Sequence, residues 1–323
     1  MTGQAERFLL GDIGGTHTRF LLAPRGGRID GGEKVLETGG FESAEAALEA
    51  FLADAGGASA VALCGAGPLE GQGVDARIHL TNAAWTLDAR RLSERFGLPV
   101  LLLNDFTACA LGLPDLDGSQ VEQIGGGAVE ASHPIAAIGA GTGLGTATLV
   151  PRGQDWAALP GEGGQTSLLA TTERELAVLA LLSTRLGHVP AEQVLSGPGL
   201  QNLHDALCEI EEGRRENLAP AEIAARAAAG DMAARRTLSV FSGWLGAFAG
   251  NMALQVWAAG GVYLAGGVLP RLGPHFDRQL FRARFEAKGR FAPHLARMPV
   301  FLVTGGNPAF YGLRRALIAQ DGR

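Results

Sequence analysis

Apolar and polar positions along the first residues of the chain predict two short strands, 8–13 and 18–23, separated by Gly14-Gly15-Thr16. Two such runs around a glycine-rich tip read as a hairpin. Ala, Leu and Phe then recur with helical spacing over 44–55. Residues 59–64 predict another apolar strand followed by a Gly/Pro loop, and 87–96 a helix. Residues 100–103 are wholly apolar, as expected of a strand buried inside a sheet. That strand ends at Asn104-Asp105, and a helix is predicted from about residue 106.

The pattern then restarts. Residues 134–138 and 146–150 predict strands around a glycine-rich turn over 139–145. Helices are predicted over 173–186, 200–211, 221–229 and 231–257. A strand over 262–265 runs into Gly266-Gly267, and a last strand over 299–303 precedes a helix over 310–318. Alternating strands and helices define the α/β class. Two halves that each open strand, glycine-rich turn, strand suggest an ancient duplication, with a nucleotide expected in a cleft between the halves. Pro114, Asp115, Asp117 and Gly118 interrupt the apolar pattern and mark the expected domain change. The last helix is expected to cross back, giving a small α/β domain of 1–115 plus about 305–323 and a large one of 116–304.

The length, 323 residues, suits two domains, and 46% apolar residues can bury a large core. A formal net charge of −6 with mixed signs gives no footprint for nucleic acid or a membrane surface. Lys34 and Lys288 are the sole lysines, which reads as genome composition. The 48 glycines are not periodic; they gather at the ends of apolar runs, where a backbone turns tightly or approaches a ligand. Cys64, Cys109 and Cys208 lie far apart among apolar neighbours, so reduced, buried thiols are expected, and neither a disulfide framework nor a Cys/His zinc spacing is read. Residues 1–7 are polar and lead straight into a strand, and no apolar stretch is long enough to span a bilayer, so no signal peptide and a cytoplasmic enzyme are expected.

Five segments carry candidate chemistry. In Gly11-Asp12-Ile13-Gly14-Gly15-Thr16, backbone N–H groups unobstructed by side chains can cradle phosphate. Asp12, at the strand end, can hold hydrated magnesium, which typically takes one or two carboxylates and several waters; an ordinary hairpin turn is the alternative. The run Gly139-Ala140-Gly141-Thr142-Gly143-Leu144-Gly145 has more glycines than a plain turn needs and favours a phosphate loop. It lacks the Lys-Ser/Thr of a Walker loop and joins two strands, unlike the dinucleotide fingerprint. Gly266-Gly267 permits close approach of an adenine or ribose, or makes a tight strand-to-helix turn. Asn104-Asp105 lies at a strand's carboxyl end, where α/β sheets bind ligands. A carboxylate there can accept a hydroxyl proton in phosphoryl transfer, or Asp105 can serve as a helix N-cap. Glu162, between glycines in a loop, with Gln165 and Glu192 further on, can take sugar hydroxyl protons or simply face solvent.

In order, GDIGGTHTR, TNAAW, NDFTA, GAGTGLG, LPGEGG, EQVLSGPG, AGGVLPR and FEAKGRF span residues 11–291. Together they resemble the bacterial glucokinases of the hexokinase-like, actin-fold superfamily. The resemblance implies a two-domain actin-like (ribonuclease H-like) fold and transfer of the γ-phosphate of Mg-ATP to the 6-hydroxyl of glucose. It puts Asp105 on the family's catalytic base, and Asn104, Glu162 and Glu192 on sugar ligands. Residues 11–16 fall on the first phosphate loop, Gly141, Thr142 and Gly143 on the second, and Gly266-Gly267 on the adenosine side. It also implies closure of the cleft on the sugar and a homodimer.

Two positions depart from the pattern. Gln165 stands where relatives commonly have His. It can hold a hydroxyl near C1 or C2 of the sugar, shift preference toward another hexose, or raise the KM for the sugar. His17 stands where Asn is usual. The Cys/His zinc motif of the sister ROK kinases is absent. A sugar-sensing regulator is the non-enzyme alternative, disfavoured by a chain that enters a strand by Phe8 where ROK repressors carry a helix-turn-helix.

Overall fold

The computed structural model describes residues 6–27, 29, 32–81 and 83–321; Asn82 of the TNAAW run lies outside the described residues. The chain divides into two compact units, Met1–Leu116 with Gly306–Arg323, and Asp117–Gly305.

In the first unit, β1 (Arg7–Ile13) and β2 (His17–Pro24) form the predicted hairpin, and β3 (Lys34–Glu37) adds to β2. α1 (Ala44–Ala55) leads to β4 (Ala60–Gly65), which runs parallel to β1. A small antiparallel sheet follows, of β5 (Leu69–Glu70), β6 (Arg77–His79) and β7 (Thr86–Asp88). After α2 (Ala89–Phe96), β8 (Val100–Asn104) pairs parallel with β4, completing the order β3-β2-β1-β4-β8. α3 (Asp105–Gly112) leaves β8 directly.

The period-2 geometry of β1 explains its burial on both faces. Leu9 and Ile13 join a core with Leu48, Phe51 and Leu92 from α1 and α2. Phe8 and Leu10 join a second core with Ala108 of α3 and Phe310, Leu313 and Leu317 of the C-terminal helix Pro308–Asp321.

The second unit begins with the edge strand β9 (Val121–Gln123). β10 (Ile135–Ala140), β11 (Leu144–Arg152) and β12 (Asp155–Gly161) form an antiparallel meander. Six helices follow: α4 (Glu173–Leu186), α5 (Glu192–Leu195), α6 (Gly197–Glu212), α7 (Pro220–Ala228) and α8 (Met232–Val256), and, after β13 (Gly261–Ala265), α9 (Val268–Leu272). α10 (Arg278–Glu286), α11 (Ala292–Leu295) and β14 (Val300–Val303) complete the unit. The sheet order is β12-β11-β10-β13-β14-β9, with β10, β13 and β14 parallel. Its first five strands reproduce the order of the first unit's sheet: a meander of three, then two parallel strands.

Three local expectations change. The helix over 87–96 starts at Ala89, because Leu87 pairs with Ile78 and extended Asp88 caps the helix through Arg91 N–H (3.1 Å). The turn over 139–145 shrinks to Gly141-Thr142-Gly143, because Gly139 pairs with Gly145 and Ala140 with Leu144. Leu159, Pro160 and Gly161, read as loop, pair with Thr148, Ala147 and Thr146. Pro160 is accommodated because β12 lies at the sheet edge, where a missing N–H costs no ladder bond. Among the cysteines, Cys64 and Cys208 are buried, whereas Cys109 is half-buried.

The C-terminal helix meets α3 at two glycines. A methyl added at Gly312 would overlap the Ala108 carbonyl oxygen, and one at Gly112 the Pro308 carbonyl oxygen. Gly312→Ala therefore forces these helices apart and should cost about 2 kcal/mol or more. A urea midpoint unchanged from the parent would show that the helices separate without penalty.

Candidate active site

In the first unit, the parallel register aligns Ile13 with Gly65 and Gly65 with Asn104. Asp12 and Asn104 thus stand at the carboxyl ends of parallel strands, the edge at which open α/β sheets bind ligands. Gly11 lies inside the sheet, where a methyl would press on the Leu63 and Phe20 side chains, so its glycine also serves packing. Gly14 donates its N–H to His17 O (3.0 Å), committing that amide to the turn. Thr38, which sequence reasoning missed, holds the turn from outside. Its hydroxyl donates to Gly14 O (2.8 Å) and its N–H to Thr16 O (2.9 Å). With that proton spent, the Thr38 oxygen accepts from Thr18 Oγ1 (3.0 Å). His17 is exposed at the start of β2, joined to the turn through its backbone.

Asp12 Oδ2 accepts from Asn307 Nδ2 (2.9 Å) and faces Arg19 Nη1 (3.5 Å), while Oδ1 has the weak Cys64 thiol at 3.8 Å. Asn307, also unforeseen, caps the C-terminal helix by accepting from Ala309 N–H (3.1 Å). An Asn-Pro pair ahead of an apolar helical run was the available sequence signal. The surroundings hold the neighbouring thiols in their protonated form. Burial, then the Asp12 and Asp105 charges, pushes Cys64 well above its usual range, and burial with Asp105 and Asp12 pushes Cys109 up to about 12.

The cap of α3 is Asn104, not Asp105. Asn104 Oδ1 accepts from the N–H groups of Phe106 (3.0 Å) and Thr107 (3.1 Å), and Nδ2 donates to Gly67 O (3.1 Å). Asp105 is the half-buried first residue of the helix, with Oδ1 accepting from Phe106 N–H (2.8 Å). A carboxylate in the first turn is also favoured by the helix dipole.

In the second unit, Glu192 joins two of the predicted segments. Oε2 accepts from Leu144 N–H (2.8 Å), directly after the Gly141-Thr142-Gly143 turn, and Oε1 accepts from Gln165 Nε2 (3.0 Å). A methyl at Gly143 would collide with the Glu192 carboxylate. The turn closes on itself through Gly141 N–H to Gly143 O (2.8 Å) and is fastened to α6 by Gly197 N–H to Gly141 O (2.8 Å). Exposed Glu162 is linked to Gln165 through the backbone, its carbonyl accepting from Gln165 N–H (3.0 Å). Thr146 Oγ1 steadies this loop by donating to Gly161 O (3.1 Å) and accepting from Gly163 N–H (2.8 Å). Gly266, at φ +90°, abuts Ala140, whose carbonyl oxygen a methyl would overlap. It thereby sets Gly266 and exposed Gly267 beside the end of β10. The unit therefore assembles Gly141–Gly143 with Gly266 and Gly267 at the carboxyl ends of β10 and β13, and Gln165 with Glu192 alongside.

The expectation that the chain lacks Cys/His ligand spacing is corrected by α6. His204 and Cys208, four residues apart on one helix face, lie with Glu216 within 4.8 Å of one another.

Replacing Glu192 by Ala should leave Leu144 N–H without its acceptor and loosen the glycine turn. Loss of a buried hydrogen bond to a charged group, worth about 1–3 kcal/mol, should speed amide exchange over 141–146 by roughly 10- to 100-fold. Unchanged exchange, read by mass spectrometry, would show that the turn holds without the carboxylate.

The glucokinase family model matches residues 9–320. A glucokinase of Chromobacterium violaceum is 43% identical over 318 residues, 97% of this chain and 90% of that protein. The crystal structure of a glucokinase from an Antarctic psychrotroph superposes with a TM-score of 0.88 at 32% identity, covering 98% of this chain and 100% of that one. A glucose-bound glucokinase structure from Balamuthia mandrillaris shares the fold, with a TM-score of 0.76 at 21% identity over 96% of this chain and 92% of that one. The chain has the α/β fold of the actin-like sugar kinases and belongs to the glucokinase family.

Proposed function

We propose that the chain transfers the γ-phosphate of ATP to the 6-hydroxyl of glucose, yielding glucose 6-phosphate and ADP. The observation that carries this reading is Asp105, a half-buried carboxylate on the first residue of α3, directly after the carboxyl end of β8. In the reaction, O6 attacks the γ-phosphorus, the bond from that phosphorus to the bridging oxygen breaks, and the O6 proton passes to the Asp105 carboxylate. A carboxylate is a weak base for an alcohol, so this proton leaves late, once the new P–O bond has formed. Asn104, Glu162, Gln165 and Glu192 bind sugar hydroxyls. On the nucleotide side, Gly11, Asp12, Ile13, Gly14, Gly15 and Thr16 form the first phosphate loop and Gly141, Thr142 and Gly143 the second, with Gly266 and Gly267 at the adenosine.

Magnesium is the implied metal, with Asp12 its holder through water. Its donor set fits: Oδ2 is engaged by Asn307 and Arg19, which leaves a single carboxylate face suited to a hydrated ion and no all-protein cage. When bound, the ion supplies charge neutralisation at the phosphate oxygens. The resemblance to bacterial glucokinases supports a cytoplasmic homodimer that feeds glucose into glycolysis. Among the described residues, no helix is long and apolar enough to cross a membrane.

A second reading, another hexose as preferred substrate, is favoured by one contact. Gln165 spends an amide hydrogen on Glu192 Oε1, which leaves its carbonyl as an acceptor. Its second N–H remains a donor beside that acceptor, so the amide selects sugars by the position of the hydroxyl it meets.

Asp105→Asn should lower kcat at least 1000-fold with glucose affinity, by calorimetry, within a few-fold of the parent; near-normal turnover would remove Asp105 from the chemistry. In a coupled assay with Mg-ATP, glucose should lead mannose, fructose and N-acetylglucosamine in kcat/KM, and Gln165→His should change those ratios. Another sugar in the lead would move the substrate, and unchanged ratios would deny Gln165 a part in the choice.

A further inference from the structure

Away from the residues discussed for phosphoryl transfer, His204 and Cys208 project from one face of α6, and Glu216 approaches from the loop that follows. His204 and Cys208 are buried, at 0% and 1% exposure, and the Glu216 side chain is 9% exposed. We infer that His204 Nε2, Cys208 Sγ and Glu216 Oε2 form a binding site for a divalent transition-metal ion of the zinc type.

The spacing suits such an ion. Zinc bonds of about 2.3 Å to sulfur and 2.0–2.1 Å to nitrogen or oxygen, at tetrahedral angles, place S and N about 3.6 Å apart and N and O about 3.3 Å apart. The structure has Cys208 Sγ 3.6 Å from His204 Nε2 and Nε2 3.2 Å from Glu216 Oε2. Three corners of a tetrahedron are therefore present with a mixed S/N/O donor set, which selects zinc-like ions over magnesium or calcium.

The proton on His204 can be located from its neighbours. Thr237 donates its hydroxyl proton to Ala233 O (3.0 Å), so its oxygen accepts from His204 Nδ1–H (2.9 Å). This is the outer contact that orients metal-binding imidazoles. Nε2 then faces a carboxylate oxygen at hydrogen-bond distance, and two lone pairs cannot face each other there. A cation must lie between them, either a proton or a metal ion.

The surroundings contain opposing charges. Arg226 Nη1 lies 3.0 Å from Glu216 Oε2, and Arg214 pairs with Oε1. Both reduce the attraction for a cation. The Glu212 carboxylate, on the last residue of the same helix, adds negative charge nearby. Uptake of the metal releases the thiol proton to solvent, so affinity should rise with pH.

The test is cobalt titration of the chelator-treated full-length protein. One equivalent should produce a thiolate-to-cobalt charge-transfer band and the visible absorption of a tetrahedral site. Cys208→Ser should abolish the band. Zinc at a hundred times its Kd should raise the thermal midpoint of the parent by roughly 5 °C or more, with the increase lost in the variant. Zinc-edge X-ray absorption of the parent, which needs no variant to fold, should show one sulfur among light ligands. Absence of the band, its persistence in Cys208→Ser, or a zinc shell without sulfur would overturn the site and leave a proton between His204 and Glu216.

Discussion

The backbone-to-backbone contact of α3 with the C-terminal helix couples the two ends of the chain. Gly112 and Gly312 each face a carbonyl oxygen of the opposite helix, so no side chain separates the pair. Arg315 adds a two-pronged ion pair to Asp115, just beyond α3. Part-exposed charge pairs contribute modestly, which leaves close packing and the apolar residues Phe310, Leu313 and Leu317 as the main attachment. The consequence reaches the candidate site. α3 begins with Asp105, and the C-terminal helix begins beside Asn307, which holds Asp12. Two carboxylates far apart in sequence therefore take their positions from one helix pair.

Each glycine-rich turn is steadied by a side chain from outside it. Thr38 bonds the first and Glu192 the second. Glycines that expose backbone amides cannot contribute packing of their own, and they carry a larger entropic cost on ordering. An external hydrogen bond offsets part of that cost. The two units repeat the same strand order, yet one turn is held by a hydroxyl from beyond β3 and the other by a carboxylate at the start of α5. The common architecture fixes where each turn stands, while separately recruited residues fix its shape.

Much of the fold is legible because its strands are short apolar runs bounded by glycine. Helix α1 appears over the predicted residues, β1 begins one residue earlier than predicted, and β2 is longer by a residue at each end. Errors arise where local and partner-dependent signals compete. Leu87 continues a helical apolar pattern but is taken by a cross-strand partner, Ile78. Asn104 and Asp105 are both good caps; the strand runs through Asn104, so the cap falls there. Thr38 and the contact of Asn307 with Asp12 were beyond reach because the partners are remote in sequence, although the Asn-Pro cap itself was visible. His204 and Cys208 differ: their four-residue spacing was visible, but only the fold adds Glu216 and gives the pair meaning.

Glu192 links the proposed sugar and phosphate regions in chemical terms. Each of its oxygens has a second acceptor direction beyond the bonds to Gln165 and Leu144 N–H. On the proposed reading, a sugar hydroxyl would use one of these directions. The residue at position 165 then acts twice, through its own polar atoms and through the angle at which it holds the carboxylate. A neutral amide does this without adding charge. An imidazole in its cationic form would place a positive charge against Glu192 and draw electron density from the oxygen that also faces the sugar. The same carboxylate anchors Leu144. On the proposed reading, selectivity and phosphate positioning are therefore coupled through this residue.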